Sequence, residues 1–247
     1  MFKANLKDPK LLKHSIDAIS NMVDEVGINV TAEGMTLKAM DPAHVALVDF
    51  ELKKDAFDEY EVSEPIVLGV DLDRLNTILK RAGTEDRISL ELDSENNALR
   101  IRIKNSSTRT FNLPLIEVSE EELKVPDLEF PCRVEINSKI ISEGIKDAEI
   151  VSDHVVLKID KENLYITARG DLGNVEVMAA KDEAMSFDVK QSASSMFSLE
   201  YLKDMIKASD IATTVKISLG DSIPVKMEFL AQDMRLSFLL APRIESE

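Results

Sequence analysis

The sequence predicts an α+β fold made twice over, two similar halves that each contain two units of one amphipathic helix plus antiparallel strands. Three observations lead there. Blocks of sequence recur at a nearly constant spacing, four segments have the 3.6-residue period of helices, and the stretches between them alternate with period two. Leu72, Leu75, Leu79 and Lys80 return as Leu199, Leu202, Ile206 and Lys207, 127 residues later. The run 33–39 returns as 162–168 at a spacing of 129, and Pro114, Ile116 and Glu117 return as Pro242, Ile244 and Glu245 at 128. Three blocks in one order mark two copies of one structural unit, and duplicated units build symmetric objects.

Asp8 and Pro9 open the first helix as a capping acid and a first-turn proline. Leu12, Ile16, Ile19, Val23 and Val26 then mark one apolar face, with Lys10, Lys13 and Asp17 opposite. A second helix is predicted over 71–82, burying Leu72, Leu75, Leu79 and Ala82 and showing Arg74, Lys80 and Arg81. The third, 138–148, buries Ile141, Ile145 and Ala148 and shows Lys139, Glu143 and Lys146. The fourth, 198–209, buries Leu199, Leu202 and Ile206 and shows Glu200, Lys203, Asp204 and Lys207.

Between helices the period becomes two. Ile88, Leu90 and Leu92 alternate up to a turn at 93–97, and Leu99, Ile101 and Ile103 alternate back, the pattern of an antiparallel hairpin. Val155, Leu157 and Ile159 turn at 161–163 into Leu164, Ile166 and Ala168. Val225, Met227 and Phe229 face Leu236, Phe238 and Leu240 across 231–233. The predicted division is 1–116, a connector 117–131, and 132–247. The connector is acidic with two prolines and fits neither period, so it should run extended over the surface. Its Leu123, Val125 and Leu128 suggest that it lies along a sheet and offers a docking edge.

The chain has 247 residues, 44% apolar and 31% charged, with 5% aromatic and no Trp, which points to an aliphatic core. Forty-six acidic against thirty basic residues give a formal charge of −16, which argues against tight general binding to nucleic acid and makes the placement of the cations decisive. No stretch has the roughly 18 uncharged apolar residues of a membrane span, and the N-terminus lacks a signal-peptide core. The protein is expected to stay inside the cell.

Motifs for chemistry are missing. The sequence has no phosphate-cradling glycine loop and only eight glycines, so nucleotide hydrolysis is not expected. His14, His44 and His154 lie in separate segments without zinc-ligand spacing. Cys132 is the single cysteine and reads as an inert thiol at the start of a strand. Glu120, Glu121 and Glu122 read as a solvated surface, because adjacent carboxylates on an extended segment rarely converge on one ion. Asp41 and Asp49 flank an apolar loop, 40–48, without the third group a hydrolytic site needs. That loop is either a buried crossover or a greasy groove with His44 as its polar group, suited to an amphipathic peptide. No enzyme, metal or cofactor is expected.

At this point the residues resemble a known family, the sliding clamps of archaeal and eukaryotic replication of the proliferating cell nuclear antigen type. The likeness spans essentially the whole length. It rests on the opening 1–4, on 37–48 (Leu-Lys-Ala-Met-Asp-Pro-Ala-His-Val-Ala-Leu-Val), on 170–174 (Gly-Asp-Leu-Gly-Asn) and on 240–245 (Leu-Ala-Pro-Arg-Ile-Glu), four pieces in the right order.

The resemblance implies a homotrimeric ring of six domains around duplex DNA, with helices lining the hole and sheets outside. Lys10, Lys13, Lys80, Arg81, Lys139, Lys146, Lys203 and Lys207 would then face the DNA backbone, weakly and without regard to sequence, diluted by Asp17, Glu143 and Asp204. Each lysine alone is equally a solvated helix surface. The resemblance also implies that edge strands 108–115 and 174–180 of neighbouring chains pair. Thr108, Arg109, Thr110, Phe111, Asn112 and Leu113 would meet Val175, Glu176, Val177, Met178 and Ala179, with Phe111 as the packing anchor. Partner peptides with a glutamine and a hydrophobic plug would enter a groove of Met40, His44, Val45, Leu47, Leu123, Val125, Pro126, Leu128, Pro224, Ala241, Pro242 and Ile244, with Ser198 near the glutamine.

The partners implied are DNA polymerase, flap endonuclease, DNA ligase and a clamp loader that would use the ATP. Tyr165 stands where eukaryotic clamps carry a modifiable lysine, and the chain stops at Glu247 without their acidic tail. Both features suggest an archaeal clamp in a cytoplasmic, nucleoid-associated setting. A second reading, from another class, is an acidic oligomeric scaffold that binds peptides without encircling DNA.

Overall fold

The computed structural model describes residues 1–118 and 123–243. Two units make up the chain, the first comprising Met1–Pro42, Val48–Leu123 and Ala231–Leu236, the second Ala43–Leu47, Lys124–Leu230 and Ser237–Glu247.

In the first half of the chain β1 (Phe2–Leu6) leads into α1 (Pro9–Ile19), followed by β2 (Glu25–Thr31), β3 (Gly34–Met40), β4 (Ala46–Lys53), β5 (Phe57–Val62) and β6 (Ile66–Asp71). Then come α2 (Leu72–Leu79), β7 (Arg87–Asp93), β8 (Ala98–Lys104) and β9 (Thr108–Pro114). The second half gives β10 (Cys132–Asn137), α3 (Ser138–Glu149), β11 (His154–Ile159), β12 (Asn163–Gly170), β13 (Gly173–Ala180), β14 (Ser186–Val189) and β15 (Ala193–Ser198). It ends with α4 (Leu199–Met205), β16 (Thr214–Leu219), β17 (Val225–Ala231) and β18 (Met234–Leu240).

Strands of the first half run in the orders β5-β1-β7-β8-β9 and β4-β3-β2-β6. Those of the second run β14-β10-β16-β17-β18 and β13-β12-β11-β15. Nine added to each number of the first set reproduces the second, and the helices recur in the same places. The α+β duplication predicted from the repeats is therefore present strand for strand.

Local chemistry explains the helices. The Asp8 carboxylate accepts from the Lys10 amide at 2.9 Å, Asp71 from Arg74 at 2.9 Å, and the Asn137 side chain from Lys139 at 3.0 Å, satisfying amides that a helix start leaves without partners. The predicted apolar faces are buried, with Leu12, Ile16 and Ile19 on α1 and Ile141, Ile145 and Ala148 on α3. In each unit the two helices pack on each other, α1 on α2 and α3 on α4. The hairpin β7–β8 pairs Leu90 with Ile101 and Ile88 with Ile103. Its turn is closed by the Asp93 carboxylate, which accepts from the Asn96 amide at 3.2 Å.

Three expectations are corrected. The apolar face of the first helix was expected to reach Val26, but α1 ends at Ile19 and Val26 pairs with Val70 in the sheet. A buried valine serves either element, and the turn at 20–24 ends the helix. The fourth helix tightens after Met205 into a 3-10 helix, Ile206–Asp210. The apolar loop predicted over 40–48 shrinks to a turn at 41–45, since β3 runs to Met40 and β4 begins at Ala46 and buries Ala46, Leu47 and Val48.

Cys132 is buried, donates to the Gln191 carbonyl at 2.9 Å, and has its thiol pushed up to about 11 by burial. Among the described residues no helix is long and apolar enough to cross a membrane.

Candidate functional site

The eight cations assigned to the helices divide by what holds them. Lys80 Nζ lies 2.6 Å from Asp17, Lys146 Nζ 2.8 Å from Glu143 and Lys207 Nζ 2.7 Å from Asp204. Lys203 of α4 pairs with Glu149 of α3. Lys13 Nζ donates to the Ala82 carbonyl at 2.8 Å. Lys10, Arg81 and Lys139 are exposed. The hydrogen bond that Lys146 donates to Glu143 raises its pKa, and the one that Lys203 donates to Glu149 does the same. Four of the eight cations are thus matched by carboxylates of the same chain. Such faces attract phosphate weakly, because each new contact competes with an existing ion pair.

Both predicted edge strands stand at the end of a strand order, β9 after β8 and β13 beside β12. On β9, Thr108, Thr110 and Asn112 are exposed, Arg109 and Phe111 half-buried, and Leu113 buried. On β13, Val175 and Val177 are half-buried, Glu176 exposed, Met178 57% exposed and Ala179 buried. Among the described residues no further strand pairs with either edge, and each carries apolar side chains, Phe111 and Leu113 on β9 and Val175, Val177 and Ala179 on β13, the condition that invites another strand.

A cluster not foreseen from sequence fixes the start of β9. Arg109 Nη2 donates to Asp86 at 2.5 Å and Nη1 to the Arg81 carbonyl at 3.0 Å. Asn105 donates to the other Asp86 oxygen at 2.8 Å. The Asp86 carboxyl is held below the usual carboxylate range, first by the Gly83 amide, then by Asn105 and Arg109. Its side-chain partners are distant along the chain, so no local pattern marks the cluster in the sequence.

Of the expected groove residues, most fall in the second unit. The Ala241 amide donates to the Val45 carbonyl at 2.8 Å, and the Arg243 amide to the Met196 carbonyl at 2.8 Å. The C-terminal segment is thereby fastened both to the turn that carries His44 and to β15, which ends at Ser198. His44 is exposed with φ +58°, a left-handed turn conformation that histidine tolerates better than most side chains. Pro224, Ala241 and Pro242 are half-buried. Val125 and Leu128 are half-buried and Pro126 exposed, along a segment without helix or strand.

Leu47 is only 5% exposed and belongs to the core. Met40 and Leu123 fall in the first unit. Ile244 lies outside the described residues, as do Glu120, Glu121 and Glu122.

Two cavities of the second unit border this segment. One, of about 340 Å³, is lined by Val156, Ser194, Ser195, Met196, Ser222, Pro242 and Arg243. The other, of about 520 Å³, includes Ser198, Asp153, His154 and Arg243. Of these, only Pro242 and Ser198 had been assigned to the groove from sequence. Val156, Met196 and Arg243 were missed because they read as ordinary strand and terminal residues. Chemically, the half-buried apolar side chains of this segment can hold an apolar chain.

Residues 1–122 match the family described as proliferating cell nuclear antigen, N-terminal domain, and residues 124–244 match its C-terminal domain. A protein of Methanococcus maripaludis (strain C5) named DNA polymerase sliding clamp is 41% identical over 254 residues, covering all of both chains. A DNA polymerase sliding clamp of Methanothermobacter thermautotrophicus is 38% identical over 249 residues, again over all of both. Among solved structures, the crystal structure of PCNA from Thermococcus kodakaraensis is similar with a TM-score of 0.91 and 27% identity, covering 98% of this chain and 100% of that one.

Proposed function

The chain belongs to the proliferating cell nuclear antigen family, and on that premise we propose that it is a DNA polymerase sliding clamp, a homotrimeric ring that encircles duplex DNA. Processivity then comes from topology. A closed ring cannot leave sideways, so the paired, weakly attractive helix faces are an advantage: they allow sliding without a grip on any one phosphate. The observation that supports this reading is the pair of end strands, β9 in one half and β13 in the other, each with apolar side chains and no further strand beside it among the described residues. Joined head to tail, β9 of one chain to β13 of the next, they make a heterologous contact that closes into a ring.

The Lys10, Lys13, Lys80, Arg81, Lys139, Lys146, Lys203 and Lys207 side chains are assigned to the DNA side. The groove of His44, Val45, Val125, Pro126, Leu128, Ser198, Pro224, Ala241 and Pro242 is assigned to partner peptides, with a few desolvated anchors dominating affinity. Those peptides would belong to polymerase, flap endonuclease, ligase and the clamp loader. Residues 1–116 and 132–247 are taken as the two clamp domains and 117–131 as their connector. The protein would work inside the cell, at the nucleoid, without catalysis of its own.

Sedimentation equilibrium over a dilution series tests the ring. Three chains of 27.6 kDa give about 83 kDa for a closed trimer. A mass of one chain at every concentration would overturn the homotrimer.

A further inference from the structure

The two halves carry the same hydrogen bond at the same place in the repeat. In the first unit the Ile116 amide donates to the Gly69 carbonyl at 3.0 Å, and in the second the Arg243 amide donates to the Met196 carbonyl at 2.8 Å. Donors and acceptors are each 127 residues apart. The sheet positions beneath correspond as well. Gly69 on β6 pairs with Gly27 on β2, and Met196 on β15 pairs with Val156 on β11. What lies over the pair differs. In the second unit Val156 and Met196, with Pro242 and Arg243, border the cavity of about 340 Å³. In the first unit the two glycines leave the sheet bare and the chain lies directly on it.

A Cβ on Gly69 would stand 2.0 Å from the Ile116 carbonyl oxygen, and one on Gly27 would stand 3.2 Å from a Val118 methyl. The other Val118 methyl lies 3.2 Å from the Gly69 position. No other residue type leaves room for the backbone to approach this closely.

We propose that residues 116–118 are a built-in occupant of the first unit's copy of the notch, with Val118 lying over the sheet pair whose second-unit counterpart borders a cavity. Duplication would otherwise give each chain two such notches. Glycine at 27 and 69 lets the chain's own strap close one, whereas valine and methionine stand at 156 and 196 beside the cavity of the other. The assignment of the open copy to a partner peptide rests on the clamp reading above, while the occupancy of the closed copy does not.

Amide-resolved hydrogen exchange on the full chain tests the strap. In the unaltered protein the Ile116 and Arg243 amides, both hydrogen-bonded to the sheet, should exchange slowly. Gly69→Ala should speed Ile116 exchange by roughly tenfold or more, since local opening governs the rate, and leave Arg243 unchanged. Val118→Gly keeps the sheet intact should Gly69→Ala disturb it, and should speed Ile116 with the amides of Val26 and Val70 unchanged. Ile116 exchanging at the same rate in both variants as in the parent would overturn the proposal.

A titration with a synthetic peptide bearing one glutamine and a hydrophobic plug separates the two readings. One peptide per chain supports the closed first notch, and two per chain overturn it. Failure of the peptide to bind, with Ile116 protected and responsive to both variants, refutes the peptide groove and leaves the strap supported.

Discussion

If the helix faces meet a phosphate backbone, their grip depends on how many lysines the chain's own carboxylates already hold. Glu149→Gln changes that number with little else. Glu149 ends α3 and pairs with Lys203 of α4, and the two side chains are 46% and 43% exposed. An exposed bridge adds little to stability, so thermal unfolding should not move measurably. The variant removes one negative charge and frees one lysine per chain. In a trimer that is up to about three more phosphate contacts, and the slope of log K against log salt steepens by up to about 2.7, at roughly 0.9 per contact. Over a fourfold change in salt, the loss of affinity would grow by up to about 40-fold.

The assay is fluorescence anisotropy of a short labelled duplex at about 50 and 200 mM salt, the range over which counterion release is large. Glu64→Gln, an exposed turn residue, makes the same charge change elsewhere. A slope for Glu149→Gln equal to that of the parent or of Glu64→Gln would refute the placement of Lys203 beside DNA.

Other consequences can be checked separately. Phe111→Ala should weaken the ring by about 1.5–3 kcal/mol per interface, the value of burying one large apolar side chain. This is about a 10- to 150-fold rise in dissociation constant, and an unchanged mass on dilution would contradict it. Asp86 has a folded pKa below its unfolded one, so its stabilisation is complete above the unfolded value of about 3.9 and is lost as pH falls through the folded value. Asp86→Asn should therefore lower the urea midpoint at neutral pH and converge with the parent in acid; a gap of constant size would contradict this. For Cys132 the folded pKa is raised to about 11, against about 8.5 unfolded. Its contribution is full below the unfolded value and fades as pH rises toward the folded one, so the stability gap between parent and Cys132→Ala should narrow over that window.

The sequence carried the helices and hairpins well because each has a buried face of fixed period: Leu72, Leu75 and Leu79 on α2, or Ile88 and Leu90 against Ile101 and Ile103, admit one reading. Strands such as β5, Phe57–Val62, which alternates incompletely, and β4, which buries three residues in succession, obscure the period and went unread. Val26 shows the limit of periodicity, since i+7 on a helix and a core position on the next strand ask for the same valine.

Candidate site residues stood out in the sequence only where composition is unusual, as at 40–48 and 123–128. Pairings across the fold were not. Lys203 with Glu149, Arg109 with Asp86, and Gly27 with Gly69 are separated by 54, 23 and 42 positions, and only sheet register and helix packing bring them together.

The topological claim is tested most directly by loading the labelled protein onto nicked circular duplex with a clamp loader and ATP, then separating bound from free by gel filtration before and after the circle is cut. A sliding ring stays with the circle at physiological salt and is lost once the DNA is linear. Equal retention on circular and linear DNA, or none on either, would contradict it.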